Sequence, residues 1–364
     1  MFCPRCLRPF AESAQRHCPH DGAELSSASR IECVRRVPSA LDGEVIEGRY
    51  VIRGFLGRGG MSSVYLAEDV RTGEPAAVKI LDEQSAKKAM LRERFQREAK
   101  IAAAIAHPSV VRIEGAGERA DGSLYLVLEF LFGESLGELL RRDGIVEPAF
   151  ALPVIRAAAS GLAAAHAAGI IHRDIKPDNL FLVGERGDSY ALKILDFGMA
   201  KLDAVNLTAA GVAVGTLAFM APEQALTDPV DARTDVYALG VVAFRMLTGR
   251  LPFEPSERAL IVAQHLFSAP PRPAELRPGL DPRLDALVLR ALRKHPDNRF
   301  PSMDALLADL DAISAAPSGP VSEAKLARQP DVYEAVSPFA RSAAYSFQVR
   351  LGHKPAPPRL RKER

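Results

Sequence analysis

Between residues 172 and 198 the chain reads His172-Arg173-Asp174-Ile175-Lys176-Pro177-Asp178-Asn179 and, further on, Asp196-Phe197-Gly198. Side chains of these types can do ionic chemistry: a carboxylate can take a proton from a hydroxyl, and carboxylate and amide oxygens suit a hard divalent cation such as magnesium. Upstream, Leu56-Gly57-Arg58-Gly59-Gly60-Met61-Ser62-Ser63-Val64 lies between two β-prone runs and is expected to be a hairpin tip. Its glycines would let backbone N–H groups approach phosphate oxygens. Ala76-Ala77-Val78-Lys79 follows on a strand, where a lysine among apolar residues is costly unless an anion partners it. Glu98 is the complementary oddity, a carboxylate on the apolar face of a helix, and an ion pair with Lys79 would resolve both.

The elements that must position these groups follow from periodicity. Val51, Ile52, Phe55, Val64, Tyr65, Ala76, Val78, Ile80 and Leu81 form short β-prone runs separated by glycines and a Thr72-Gly73 turn, which predicts a small antiparallel sheet. Residues 91–106 place Phe95, Glu98, Ala102 and Ile105 on one helical face, and 124–130 reads as a further strand. Beyond Gly133 helical patterns dominate, and 236–247 is apolar on nearly every side and must be buried. Residues 27–48, polar and carrying Ser, Arg and Pro, are expected to form a linker, and 313–364 a disordered tail.

With 48% hydrophobic and 25% charged residues, the chain is long enough for two core-bearing units of a soluble globular protein. Lys and Arg number 47 against 45 Asp and Glu, so the net charge of +2 gives no reason to expect nucleic acid as a partner. The longest mostly apolar window, 209–221, is interrupted by Gly211, Gly215 and Thr216, and the start of the chain does not read as a leader, so no membrane insertion is expected. All four cysteines fall in the first 33 residues. Cys3-Pro4-Arg5-Cys6 and Cys18-Pro19-His20-Asp21 make two similar turns able to converge on zinc, with Cys3, Cys6, Cys18 and Asp21 as ligands and His17, His20 and Cys33 in competition for the fourth place. A segment as short as 1–26 would need the metal to fold, and a closed site would serve protein contact; the alternative is an unliganded segment with reactive thiols. Thiols near histidines point to a reducing compartment, the cytoplasm.

In their order and spacing, His172 to Asn179, Asp196 to Gly198 and Ala221-Pro222-Glu223 resemble the motifs of eukaryotic-type (Hanks-type) serine/threonine protein kinases, and Gly57-Arg58-Gly59-Gly60-Met61 resembles their bacterial members. The resemblance covers about residues 50–312. It implies an α+β, bilobal protein kinase fold: a small antiparallel β-sheet lobe with one helix over 49–131 and a larger, mainly helical lobe over 132–312, with ATP and magnesium (or manganese) bound between them. Asp174 would be the catalytic base, Lys176 would offset charge on the γ-phosphate, and Asn179 and Asp196 would hold the metal. Lys79, oriented by Glu98, would reach the α- and β-phosphates beneath the glycine-rich loop. Leu56, Val64 and Ala77 would sandwich adenine, backbone groups of Glu129 and Leu131 would bond its edge, and Leu128 would limit the pocket's depth. Asp235 would anchor the catalytic-loop backbone and Arg299 would pair with Glu223.

Lys176 and Thr216 stand where the resemblance implies the serine/threonine branch, so the partners would be protein substrates in intracellular signalling. A buried Arg173 beside the base would want a counter-charge from a phosphorylated loop, with Thr208 as acceptor and self-association allowing autophosphorylation. Ser62 departs from the family's third glycine, and phosphate on Ser62 or Ser63 would repel the nucleotide. A pseudokinase scaffold would normally lack Lys79, Asp174 or Asp196, and a small-molecule phosphotransferase would be expected to lack Ala221-Pro222-Glu223; all are present.

Overall fold

The computed structural model describes residues 17, 36–59, 62–82, 92–93, 95–96, 104–184, 190–197, 217–226, 228–254 and 257–315. Two compact units emerge, one from the described residues of Met1–Glu134 and Phe181–Met199, the other from those of Ser135–Leu180 and Ala200–Arg364. The second excursion of the chain into the first unit was not foreseen in the continuous 49–131 and 132–312 division.

The alternating runs form Tyr50–Arg58 (β2), Ser62–Asp69 (β3), Pro75–Leu81 (β4) and Leu124–Glu129 (β6). Val45–Ile46 (β1) and Ile113–Glu118 (β5) join them in a six-stranded antiparallel sheet, ordered β1-β2-β3-β4-β6-β5. Val64 lies opposite Lys79, and Ala77 and Lys79 lie opposite Leu128 and Leu126. Because successive strand residues alternate faces, Val64, Ala77, Lys79, Leu126 and Leu128 share one face. The other face buries Ala67, Ala76, Val78, Ile80, Tyr125 and Val127 against Ile46, Tyr50 and Ile52. Helical residues 92–93, 95–96 and 104 are described within the expected helix, and Phe95 packs with Leu81, Leu124 and Leu126. A smaller sheet orders Gly133–Ser135 (β7), Leu180–Val183 (β8) and Ala191–Ile194 (β9) side by side.

The linker expected over 27–48 is corrected in its second half. Val37 and Phe55 exchange both backbone hydrogen bonds (3.0 and 2.7 Å), Gly43 N–H donates to Ile52 O at 2.8 Å, and Ile46 is buried. Arg119 grips Glu44 through two hydrogen bonds of 2.7 Å, and the Tyr125 hydroxyl donates to Glu47 at 3.1 Å. Burial and the neighbouring Glu47 push the Tyr125 phenol up to about 12. Residues 36–48 are therefore a strap across the outer face of the sheet.

The helical unit contains Leu136–Asp143 (α1), Pro148–Ala167 (α2), Pro222–Ala225 (α3), Ala232–Thr248 (α4), Arg258–Phe267 (α5), Pro273–Leu276 (α6), Pro282–Ala291 (α7) and Met303–Ala315 (α8). Ser135 starts α1 with a reciprocal box: its hydroxyl accepts from Glu138 N–H at 3.1 Å while Glu138 accepts from Ser135 N–H at 2.8 Å. As expected of a helix apolar all round, α4 is buried from Thr234 to Thr248 apart from Arg245. It packs against α2, α7 and α8. By length and composition α2, at 20 residues, is apolar enough to cross a membrane, a stretch longer than the window singled out at 209–221; Ala151, Val154, Ile155, Ala158, Ala159, Leu162 and Ala165 bury it within the unit.

Candidate active site

The glycine-rich hairpin is closed by Gly59 N–H donating to Ser62 O at 2.7 Å, and Asp82 braces both its arms. One carboxylate oxygen of Asp82 accepts from Ser63 Oγ at 2.9 Å and the other from Arg58 Nη2 at 2.8 Å. A Cβ added at Gly57 would meet no protein atom within 4 Å, so that side of the loop is open for close backbone approach by a ligand. Ser62 and Ser63 are only 4% and 7% exposed. Their expected role as phosphate acceptors is corrected on that ground, since a modifying enzyme needs the hydroxyl in solvent.

On the sheet face defined above, Lys79 is 4% exposed and its Nζ lies 2.7 Å from Asp196 Oδ1. Glu98, its expected partner, lies outside the described residues, as do Gly60 and Met61. Asp196 follows β9, which is pinned by Val111 N–H to Ile194 O (3.1 Å) and Ile194 N–H to Ser109 O (2.8 Å). Its φ of +57° is a left-handed conformation that costs about 1–3 kcal/mol at a non-glycine residue and persists only where the surroundings enforce it. Phe197, the next residue, is buried to 1% exposure. Leu56, Val64 and Ala77 are half-buried, as apolar walls for a flat ring would be. At the end of β6, Glu129 N–H is already donated to Arg112 O at 3.0 Å, and its carboxylate accepts from Lys193 Nζ at 2.6 Å. Of the two residues expected to bond adenine, Leu131 has neither N–H nor C=O engaged by backbone among the described residues.

In the helical unit, Asp174 Oδ2 accepts from Lys176 Nζ at 2.7 Å and from Asn179 Nδ2 at 3.1 Å. Asn179 Nδ2 also donates to Asp174 O at 2.8 Å, which holds the short 3-10 turn Pro177–Asn179 against the loop. Asp235, wholly buried on α4, organises the preceding backbone. Its Oδ2 accepts from His172 N–H at 2.8 Å and lies 2.8 Å from His166 Nε2, and its Oδ1 accepts from Arg173 N–H at 2.8 Å. That bond holds Arg173 at φ +68°. Arg173 is half-buried rather than buried, and no carboxylate among the described residues pairs with its guanidinium. Glu223 and Arg299 form the expected pair, doubly bonded at 2.7 and 2.8 Å with Glu223 2% and Arg299 0% exposed at the side chain.

The candidate set thus falls into two groups, Lys79 with Asp196 in the sheet unit and Asp174 with Lys176 and Asn179 in the helical unit. Thr208 and Thr216 lie outside the described residues, and so do Cys3, Cys6, Cys18, Asp21, His20 and Cys33. Among the described residues no group of three or more His, Cys, Asp or Glu side chains gathers as a metal site. Sequence reasoning passed over Asp82, Lys193 and Gln224, polar residues each bonded to a residue distant in the chain: Ser63, Glu129 and Arg173. Only the place of Gln224 directly after Glu223 offered a signal.

A model of the protein kinase domain matches residues 50–309. Serine/threonine-protein kinase pkn3 of Myxococcus xanthus is 35% identical over 278 residues, 74% of this chain and 51% of the relative. Serine/threonine-protein kinase PknB of Mycobacterium leprae (strain TN) is 38% identical over 270 residues, 73% and 43% of the two chains. The chain spans about half the length of these curated relatives. Among solved structures, the Mycobacterium tuberculosis PknI kinase domain superposes with a TM-score of 0.59 at 27% identity, covering 75% of this chain and 99% of its own. Motifs, two-unit α+β architecture and a family match over most of the sequence agree, and the chain belongs to the protein kinase family.

Proposed function

We propose that this chain is the catalytic part of a serine/threonine protein kinase, transferring the γ-phosphate of ATP to hydroxyls of protein substrates. The observation that carries the reading is the Asp174 carboxylate, held by Lys176 and Asn179 on a loop whose backbone is fixed by Asp235. Asp174 accepts the hydroxyl proton as the new oxygen–phosphorus bond forms and the bond from the γ-phosphorus to the bridging oxygen breaks, releasing ADP. Lys176 stays against the carboxylate it is bonded to and offsets charge on the transferring group. Lys79, desolvated on the sheet, directs its ammonium at phosphate oxygens, and the open side of Gly57 admits them.

Magnesium or manganese, when bound, neutralises charge on the phosphates. Each unit offers an oxygen donor suited to such a hard cation: in the helical unit Asn179 commits Nδ2 to Asp174, which leaves Oδ1 as a ligand, and in the sheet unit the Asp196 carboxylate is 44% exposed. The serine/threonine specificity in the names of the relatives, and Lys176 two residues beyond Asp174, favour serine or threonine as acceptor. Autophosphorylation on Thr208 through self-association, zinc on Cys3, Cys6, Cys18 and Asp21, and a cytoplasmic setting complete the proposal, the zinc to be checked by metal analysis of the full chain.

The test is phosphate transfer from labelled ATP to the protein itself and to a generic basic protein, wild type against Asp174→Asn. Loss of the general base is expected to slow transfer about 10²- to 10⁴-fold, with wild-type label on Thr208 by mass spectrometry. Equal transfer by the two proteins would refute the assignment of Asp174.

A further inference from the structure

The Arg173 peptide unit sets the position of Asp174, and it is held in an unfavourable conformation. A φ of +68° at an arginine is stable only if the groups on either side of it are fixed. Asp235 fixes the N–H, as described above. The carbonyl is fixed by a residue with no assigned role: Gln224 Nε2 donates to Arg173 O at 2.9 Å. The same amide accepts from Ala221 N–H through Oε1 at 3.0 Å. Gln224 therefore spans from the backbone beside the catalytic carboxylate to the backbone of Ala221-Pro222-Glu223. The next residue back along the chain, Glu223, is locked into the buried pair with Arg299. The amide rests on a rigid base.

We infer that Gln224 is a positioning residue, holding the strained Arg173 carbonyl so that Asp174 meets the attacking hydroxyl, and coupling that geometry to the segment ending at Ala221. Neutrality and both ends of the amide are required. A carboxylate keeps the acceptor for Ala221 N–H but offers no proton to Arg173 O, and a thioether keeps the length and loses both bonds. The inference rests on the kinase reading. Its effect falls on turnover rather than on nucleotide affinity, because the hydrogen bonds of the Gln224 amide go to backbone, one of them to the residue before the base. A displacement of about 1 Å at a reacting group is worth up to about 10²-fold in rate.

The experiment compares full-length wild type, Gln224→Glu and Gln224→Met for kcat, KM for ATP and thermal midpoint, with Asp174→Asn as reference. Both Gln224 variants are expected to lose about 10- to 100-fold in kcat while KM for ATP stays within about 3-fold and the folded fraction at assay temperature stays complete. Wild-type kcat in Gln224→Glu would overturn the proposal, since the donor to Arg173 would then be dispensable. A loss of kcat that only tracks loss of folded protein would overturn it equally, by making the role purely structural. A wild type as silent as Asp174→Asn would refute the kinase reading itself, a failure visible before any Gln224 variant is compared.

Discussion

Arg299 has every guanidinium N–H bonded, and that fixes what its loss must cost. Its five N–H groups are all taken: Nε donates to Arg293 O (2.7 Å), Nη1 to Glu223 Oε1 (2.7 Å) and Arg233 O (2.9 Å), and Nη2 to Glu223 Oε2 (2.8 Å) and Lys294 O (2.7 Å). Thr234 Oγ1 adds a bond of 2.8 Å to Glu223, and the guanidinium lies 4.8 Å above the Tyr237 ring. Glu223→Gln keeps the shape and removes the counter-charge. Breaking a buried pair on one side typically costs about 3–5 kcal/mol, because the other charge stays buried without compensation. Against a domain stability of about 5–15 kcal/mol that is a large fraction. At about 2–4 °C per kcal/mol for a domain of this size, the midpoint should fall by roughly 6–20 °C. Arg299→Met should cost a similar amount. The double variant should cost less than the two single changes added, since no lone charge remains. The assay is thermal unfolding followed by far-UV circular dichroism, with urea titration as a check. A Glu223→Gln midpoint within about 2 °C of wild type would refute the reasoning, because the buried guanidinium would then be indifferent to its counter-charge.

His265 makes the acid response of the fold testable. It is fully enclosed, 2.8 Å from the Tyr237 hydroxyl and edge-on to Phe253, and burial followed by the nearby Lys294 ammonium lowers its imidazole from 6.5 to about 3. The unfolded chain binds a proton there below about pH 6.5 and the folded chain does not until about pH 3, so this residue's contribution to stability is complete above 6.5 and is lost as pH falls toward 3. His265→Gln should lose less stability between those limits in urea titrations; slopes equal to wild type would contradict the assignment. For the strap, Arg119→Met removes the two bonds to Glu44 together with those to Asp121 and Ser123; the loss at Glu44 should cost about 1.5–3 kcal/mol, with faster proteolytic cleavage within residues 36–48. Unchanged cleavage would show that the strap is held without Arg119, by its backbone pairing, Leu41, Ile46 and the Glu47–Tyr125 bond.

Local chemistry was the legible part of this sequence. The catalytic loop, Asp196, the hairpin of Leu56 to Val64 and the buried helix α4 are each specified by contiguous residues, and motif order or periodicity reveals them. What stayed hidden depends on pairing across long separations. Lys79 announces that it needs an anion, but nothing local names Asp196, 117 positions away. Residues 36–48 read as a linker because Ile46 and Leu41 are their apolar contacts with the core; the rest of their hold comes from backbone pairing with β2 and from Glu44 and Glu47 reaching Arg119 and Tyr125, 75 and 78 positions on. The strands β7, β8 and β9 are three or four residues long, too short to show a period. Gln224 carries no charge and no periodic signature, so only its bonds identify it.

The strap alters what counts as a self-sufficient piece of this protein. Trimming to the matched residues 50–309 would remove Leu41 and Ile46 from the hydrophobic cluster that includes Tyr50, Ile52, Val78 and Ile80. It would also unpair the outer rim of β2, where Val37, Gly43 and Glu44 now satisfy Phe55 and Ile52. A bared rim beside an uncovered apolar face is a template on which a second molecule can add its own strand. Excision at the family boundary would therefore leave a piece prone to pair through the bared strand, and the freed end of β2 would loosen within two residues of Gly57, where the phosphate loop begins.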